Sequence, residues 1–178
     1  MRFSLRTATP DDAPALADIH VRARRECMSY LPDVHTPEDV LAWVREILPQ
    51  HDEVWVAEQD GRIVGFFMLS DSFLYHLYVY PELHGQGAGS LLFDRVKELS
   101  PEGFRLWVFQ RNTQARAFYE HRGMRVVELT DGSRNEEREP DALYEWLPSP
   151  EPVEPSKTRA APSGAGSPSC AAGRRGTP

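Results

Sequence analysis

The chain has 178 residues, 40% of them apolar, and a formal net charge of -7 at pH 7. That suffices for one compact domain with its own core, and the acidic balance argues against sequence-independent nucleic-acid binding, which needs a basic face to displace counterions. No apolar run approaches the roughly 18 residues of a membrane span, so no membrane contact is expected.

The start, Met1-Arg2-Phe3-Ser4-Leu5-Arg6, carries no signal-peptide core, and a cytoplasmic location is expected. The two cysteines, Cys27 and Cys170, are too few for a disulfide framework or a four-ligand metal site, and no metal is expected.

In chain order, Phe3 to Arg6 reads as a short strand. The Asp11-Asp12 pair then opens a helix with apolar Ala15, Leu16, Ile19 and Ala23 at helical spacing. A second helix starts at Thr36-Pro37-Glu38-Asp39, with Thr36 as cap, Pro37 in the first turn and the acids facing the positive helix end. Val40, Leu41, Val44, Ile47 and Leu48 form its apolar stripe.

Three strands follow: Val54 to Glu58, Arg62 to Ser70 and Phe73 to Val79, with turns at Asp60-Gly61 and Asp71-Ser72. Asp-Gly between β-rich runs is a strong hairpin signal, so these strands are expected to be antiparallel. A glycine-rich loop leads into a helix ending at Leu99. Then come a strand Phe104 to Phe109, a helix Thr113 to Arg122 stopped by Gly123, a strand Met124 to Leu129 and a last strand near Leu143 to Trp146. The pattern predicts an α/β domain over residues 1–147, a mixed, mostly antiparallel twisted sheet of about seven strands with helices on both faces. Residues 148–178, dense in Pro, Ser, Gly and Ala, cannot bury enough apolar surface to offset ordering and are expected to be a disordered tail.

Chemistry concentrates in His84-Gly85-Gln86-Gly87-Ala88-Gly89-Ser90, where a turn passes into a helix. Three glycines let consecutive backbone N–H groups face one anion, and the helix N-terminus adds unpaired donors and partial positive charge. A diphosphate fits without any lysine. No Gly-Lys-Ser/Thr follows, which weakens a Walker-loop reading, and the dinucleotide fingerprint weakens too, since its third glycine would fall on Ser90, after an antiparallel meander where a parallel unit is needed.

These residues resemble the cofactor motif of the GNAT acetyltransferase superfamily: Arg or Gln, two residues, Gly, one residue, then Gly or Ala. His84 stands at the first position, with Gly87 and Gly89 matching the rest. Leu77-Tyr78-Val79-Tyr80-Pro81-Glu82 is similar to the family's fourth strand and its exit, and Asn112 to Met124 to its Asn-x-x-Ala-x-x-Phe-Tyr-x-x-x-Gly-Phe helix. Asn112 and Tyr119 are seven apart, nearly two helical turns, so both can lie along one face. Asn112 is also a good helix cap.

The resemblance implies a sheet splayed between its fourth and fifth strands, acetyl-CoA as acyl donor, and direct transfer to an amine acceptor without an acyl-enzyme. Cys27, far in sequence from the glycine loop, offers no paired nucleophile. By resemblance, the backbone of Leu77, Tyr78 and Val79 polarises the thioester carbonyl and residues 84 to 90 hold the diphosphate. The same resemblance implies that Asn112 contacts the cofactor beside the thioester and that Tyr119 serves the leaving thiolate.

A phenol near pKa 10 is a weaker acid than a thiol near 8.5, so full proton transfer from Tyr119 is uphill by roughly 2 kcal/mol. A hydrogen bond to sulfur is the expected role. Where some members carry a glutamate base, this chain has Trp107; His76 is the substitute candidate, Glu82 the second, and a water chain serves equally well. Acceptor contacts are sought at Trp43, Tyr75, Tyr78, Tyr80 and the acidic 135–140 loop. A homodimer stays open, as does a rival class, a non-catalytic acyl-CoA sensor.

Overall fold

The structure is a computed structural model and describes residues 3–32 and 35–148. The expected tail, apart from Pro148, lies outside the described residues. Seven strands form one sheet in the order β1-β2-β3-β4-β5-β7-β6. They are β1 (Ser4–Thr7), β2 (Glu53–Gln59), β3 (Arg62–Ser70), β4 (Phe73–Val79), β5 (Phe104–Phe109), β6 (Arg125–Leu129) and β7 (Asp141–Trp146). The four α-helices are α1 (Ala13–Cys27), α2 (Pro37–Ile47), α3 (Ala88–Leu99) and α4 (Thr113–Glu120).

The turns follow from the residues that occupy them. Asp60 and Gly61 both take positive φ, 51° and 79°, the twist a two-residue hairpin needs. Asp71 and Ser72 do the same at 49° and 58°. Thr36 caps α2, its hydroxyl accepting from the Asp39 N–H at 3.1 Å while the Asp39 carboxylate accepts from the Thr36 N–H at 3.0 Å.

The Asp11-Asp12 pair behaves differently from the sequence expectation. A short 3-10 turn, Pro10–Asp12, precedes α1, and Asp12 is buried with the Arg6 guanidinium at 2.7 Å. That partner holds the Asp12 carboxyl down at about 2. Helix α4 ends two residues earlier than its pattern suggests, at Glu120, and Gly123 with φ 85° completes the exit.

The core lies between the sheet and its helices: Leu16 and Ile19 of α1, Val44 of α2, and Leu92, Phe93 and Val96 of α3 pack on Val56, Phe66, Phe67 and Met68. Strand β3 is buried along most of its length because it has a paired strand on each side and helices α1 and α3 packed against it. Strands β4 and β5 run parallel and pair only at Phe73↔Arg105. Beyond that point they diverge and leave a cleft beside β4. No helix of the described residues is long and apolar enough to cross a membrane.

Candidate active site

The cleft is a cavity of about 320 Å³ lined by the C-terminal half of β4, the turn before α3, one face of α4 and the end of α1. The turn is built by left-handed backbone: Gly85 has φ 75° and Gly87, the residue capping α3, has φ 105°. No side chain caps α3, and its first closing bond is Leu91 N–H to the Gly87 carbonyl at 3.0 Å. The N–H groups of Ala88, Gly89 and Ser90 therefore have no intrahelical acceptor, the arrangement in which a helix start can receive an anion. At Gly89 the protein itself leaves room for a side chain, since a Cβ there would stand in ordinary contact with Phe118 at 3.4 Å.

Of the residues singled out in the sequence, Leu77, Tyr78, Val79, His84, Gly85, Gly87, Gly89, Ser90, Asn112 and Tyr119 line this one cavity, with Gln86 and Ala88 in the same turn. Asn112 does cap α4, its Oδ1 accepting from the Ala115 N–H at 3.1 Å, which leaves its amide nitrogen for another partner. Tyr119 is 8% exposed and packed among Phe93, Phe118 and Tyr144. Burial pushes its phenol well above the usual range, with Tyr78 adding to the rise, so the hydroxyl stays protonated. Among the described residues it has no hydrogen-bond partner, which leaves it available inside the cleft.

Two placements differ from the sequence reading. Cys27, remote from the glycine loop along the chain, lines the cleft, because α1 packs across the end of β4. Burial, with Glu26 assisting, raises its thiol, so it is a poor nucleophile at neutral pH. His84 sits in the cleft with both ring nitrogens engaged by protein: Nε2–H donates to the Val79 carbonyl at 3.1 Å, and Nδ1 accepts from the Gln114 amide at 3.3 Å.

His76 faces a second cavity of about 420 Å³, shared with His20, Arg24, Trp43, Glu136 and Glu137. Tyr78 lies against both spaces: it lines the cleft, and its ring packs on His20 at 5.1 Å and on His76 at 6.0 Å. Of the residues considered for the acceptor, Trp43, Glu136 and Glu137 reach this cavity. Tyr75 is 51% exposed beside His51, and the Tyr80 hydroxyl donates to Asp18 at 2.6 Å. Glu82 is tied to Arg22 at 3.1 Å.

His20 was missed in the sequence. Its signal was a histidine set inside the apolar stripe of Leu16, Ile19 and Ala23, and its Nδ1 is buried without a partner.

Burial lowers His20 to about 4 and His76 to about 3, helped by Arg24 and by neighbouring histidines. Both are neutral in the native state near pH 7, while the unfolded chain protonates them near 6.5. The unfolded state thus binds more protons below that value, so their contribution to stability is present above pH 6.5 and is lost as pH falls toward 4. The loss is at most about 1.4 kcal/mol per pH unit for each histidine. Thermal unfolding from pH 7 to pH 4 is expected to show a falling melting temperature, and His76→Asn to flatten that slope; an identical slope in the variant would remove His76 as a contributor.

A single sheet parted between a parallel β4–β5 pair, with a glycine-built helix end at its mouth, is the architecture expected from the sequence resemblance to GNAT acetyltransferases. Comparison with known proteins agrees. The acetyltransferase (GNAT) domain family matches residues 50–125. An uncharacterized N-acetyltransferase of Archaeoglobus fulgidus is 30% identical over 150 residues, covering 75% of this chain and 100% of the relative. The peptidyl-lysine N-acetyltransferase YjaB of Salmonella typhimurium is 29% identical over 128 residues, 71% of this chain and 86% of that protein. The crystal structure of the PaiA N-acetyltransferase from Thermoplasma acidophilum in complex with coenzyme A superposes with a TM-score of 0.63 at 20% identity, over 83% of this chain and 99% of the other. The chain belongs to the GNAT acetyltransferase family and is an acetyltransferase enzyme.

Proposed function

We propose that this enzyme passes the acetyl group of acetyl-CoA directly to a primary amine while both are bound. The observation that carries the reading is the run of unpaired N–H groups at the start of α3, opening on a cleft that also holds the unpartnered hydroxyl of Tyr119. The diphosphate takes the N–H groups of the 86–90 turn, and the pantetheine arm lies between β4 and β5 against Asn112. Backbone N–H groups of Leu77 to Val79 polarise the thioester carbonyl. The amine nitrogen attacks that carbon, the carbon–sulfur bond breaks, and the Tyr119 hydroxyl hydrogen-bonds the departing thiolate.

The amine arrives from the second cavity, where His76 faces it. Held near 3, His76 is a deprotonated but weak base, so it takes the amine proton late, once the nitrogen has become acidic by bonding to carbon. A water chain through the same cavity is the second route. Because YjaB is named a peptidyl-lysine N-acetyltransferase, a lysine side chain in a polypeptide is the first acceptor to try.

The test is labelled acetyl-CoA offered with lysine peptides, peptide N-termini, polyamines and small amines. We expect acetyl-CoA binding and an amide product with at least one class. Tight binding with no transfer to any would replace the enzyme reading by the acyl-CoA sensor.

A further inference from the structure

Coenzyme A carries a diphosphate and a ribose 3′-phosphate, and backbone N–H groups meet that charge only with dipoles. His84, at the motif position where the family has Arg or Gln, cannot supply the rest, since both its ring nitrogens are committed within the protein. The described lining of the cleft contains no lysine and one arginine, Arg122.

Arg122 stands just past the end of α4. Its Nη2 donates to Ser90 Oγ at 2.5 Å, its Nη1 donates to the Phe118 carbonyl at 3.0 Å, and the guanidinium lies over the Phe118 ring at 3.6 Å. Ser90 is the third residue of α3, and Phe118 is the side chain that a Cβ on Gly89 would touch. The cation is therefore fixed beside the anion-binding turn. Two of the five N–H bonds of a guanidinium are used, and none of the ion pairs of the described residues involves it.

We propose that Arg122 is the cationic residue of the donor site and binds a phosphate of acetyl-CoA at the edge of the turn, an inference that rests on the cleft being the acetyl-CoA site. It replaces from α4 the charge that position 84 lacks.

The test is calorimetry of CoA and of 3′-dephospho-CoA with the full chain, Arg122→Gln and Arg122→Lys, at low and high salt. Arg122→Gln is expected to weaken CoA by about tenfold or more, the range of a charge-assisted hydrogen bond, and to flatten the salt dependence of binding. Arg122→Lys should recover part of both. A loss seen with CoA alone assigns the 3′-phosphate; the same loss with dephospho-CoA assigns the diphosphate; either supports the proposal. Undiminished CoA affinity in Arg122→Gln overturns it. So does weakened binding with an unchanged salt dependence, which would make Arg122 only a brace between Ser90 and Phe118. If the unaltered chain binds neither ligand, the acetyl-CoA reading fails first and this inference with it.

Discussion

Gly87→Val is expected to lower acetyl-CoA affinity at least 100-fold while the domain still folds. Gly87 caps α3 at φ 105°, a conformation that a β-branched residue adopts only under strain of about 1 to 3 kcal/mol. The protein itself has room, since the nearest atom to a new Cβ is on Phe3 at 4.0 Å. Relief of that strain comes by rotating the peptide planes of the turn, which turns the N–H groups of Ala88 to Ser90 away from a common anion. Gly89→Val is expected to reach the same end by another route: its backbone is unstrained and its Cβ meets Phe118 only at an ordinary 3.4 Å, so the effect comes from the branched side chain standing over the N–H groups where the proposed diphosphate would lie. Calorimetry with acetyl-CoA, paired with thermal unfolding, checks both. Affinity equal to that of the unaltered chain in both variants would remove the turn as the phosphate site.

Tyr119→Phe is expected to cut turnover by about ten- to a hundredfold and to leave acetyl-CoA binding nearly unchanged. The ring stays packed on Phe93 and Phe118, and only the hydroxyl, which has no partner among the described residues, is lost. Negative charge grows on sulfur in the transition state, so the missing donor is felt there and hardly in the ground state. Burial raises the phenol, which makes full proton transfer less favourable than at an exposed tyrosine. The expected loss is accordingly that of a hydrogen bond to a developing anion, about 1.5 to 3 kcal/mol, and smaller than that of a strong general acid. Rates at saturating donor and amine decide it. Equal rates would make Tyr119 a packing residue and leave the thiolate to solvent.

Much of the candidate site was legible along the chain because it is local. A turn needing positive φ demands glycine, as at Gly85 and Gly87, and a helix start leaves N–H groups unpaired whatever surrounds it. Asn112 and Tyr119 share a face because seven residues make nearly two turns. By the same logic Thr36 caps α2, Asp60-Gly61 closes a hairpin, and the order of strands and helices follows from periods of two and of 3.6.

What the chain order could not decide is who meets whom across the fold. Strand β7 inserts between β5 and β6, and β4 pairs with β5 at a single position, because sheet order depends on long-range pairing that no local pattern encodes. Only that packing brings Cys27 to the cleft and sets His20 beside His76 around a second cavity. It also ties both nitrogens of His84 to Val79 and Gln114, and lays Arg122 against Ser90, thirty-two positions earlier in the chain. Sequence determines which groups are present and how each segment bends; the burial and neighbours that tune them, such as the desolvation that raises Tyr119 and lowers His76, exist only once the elements are packed.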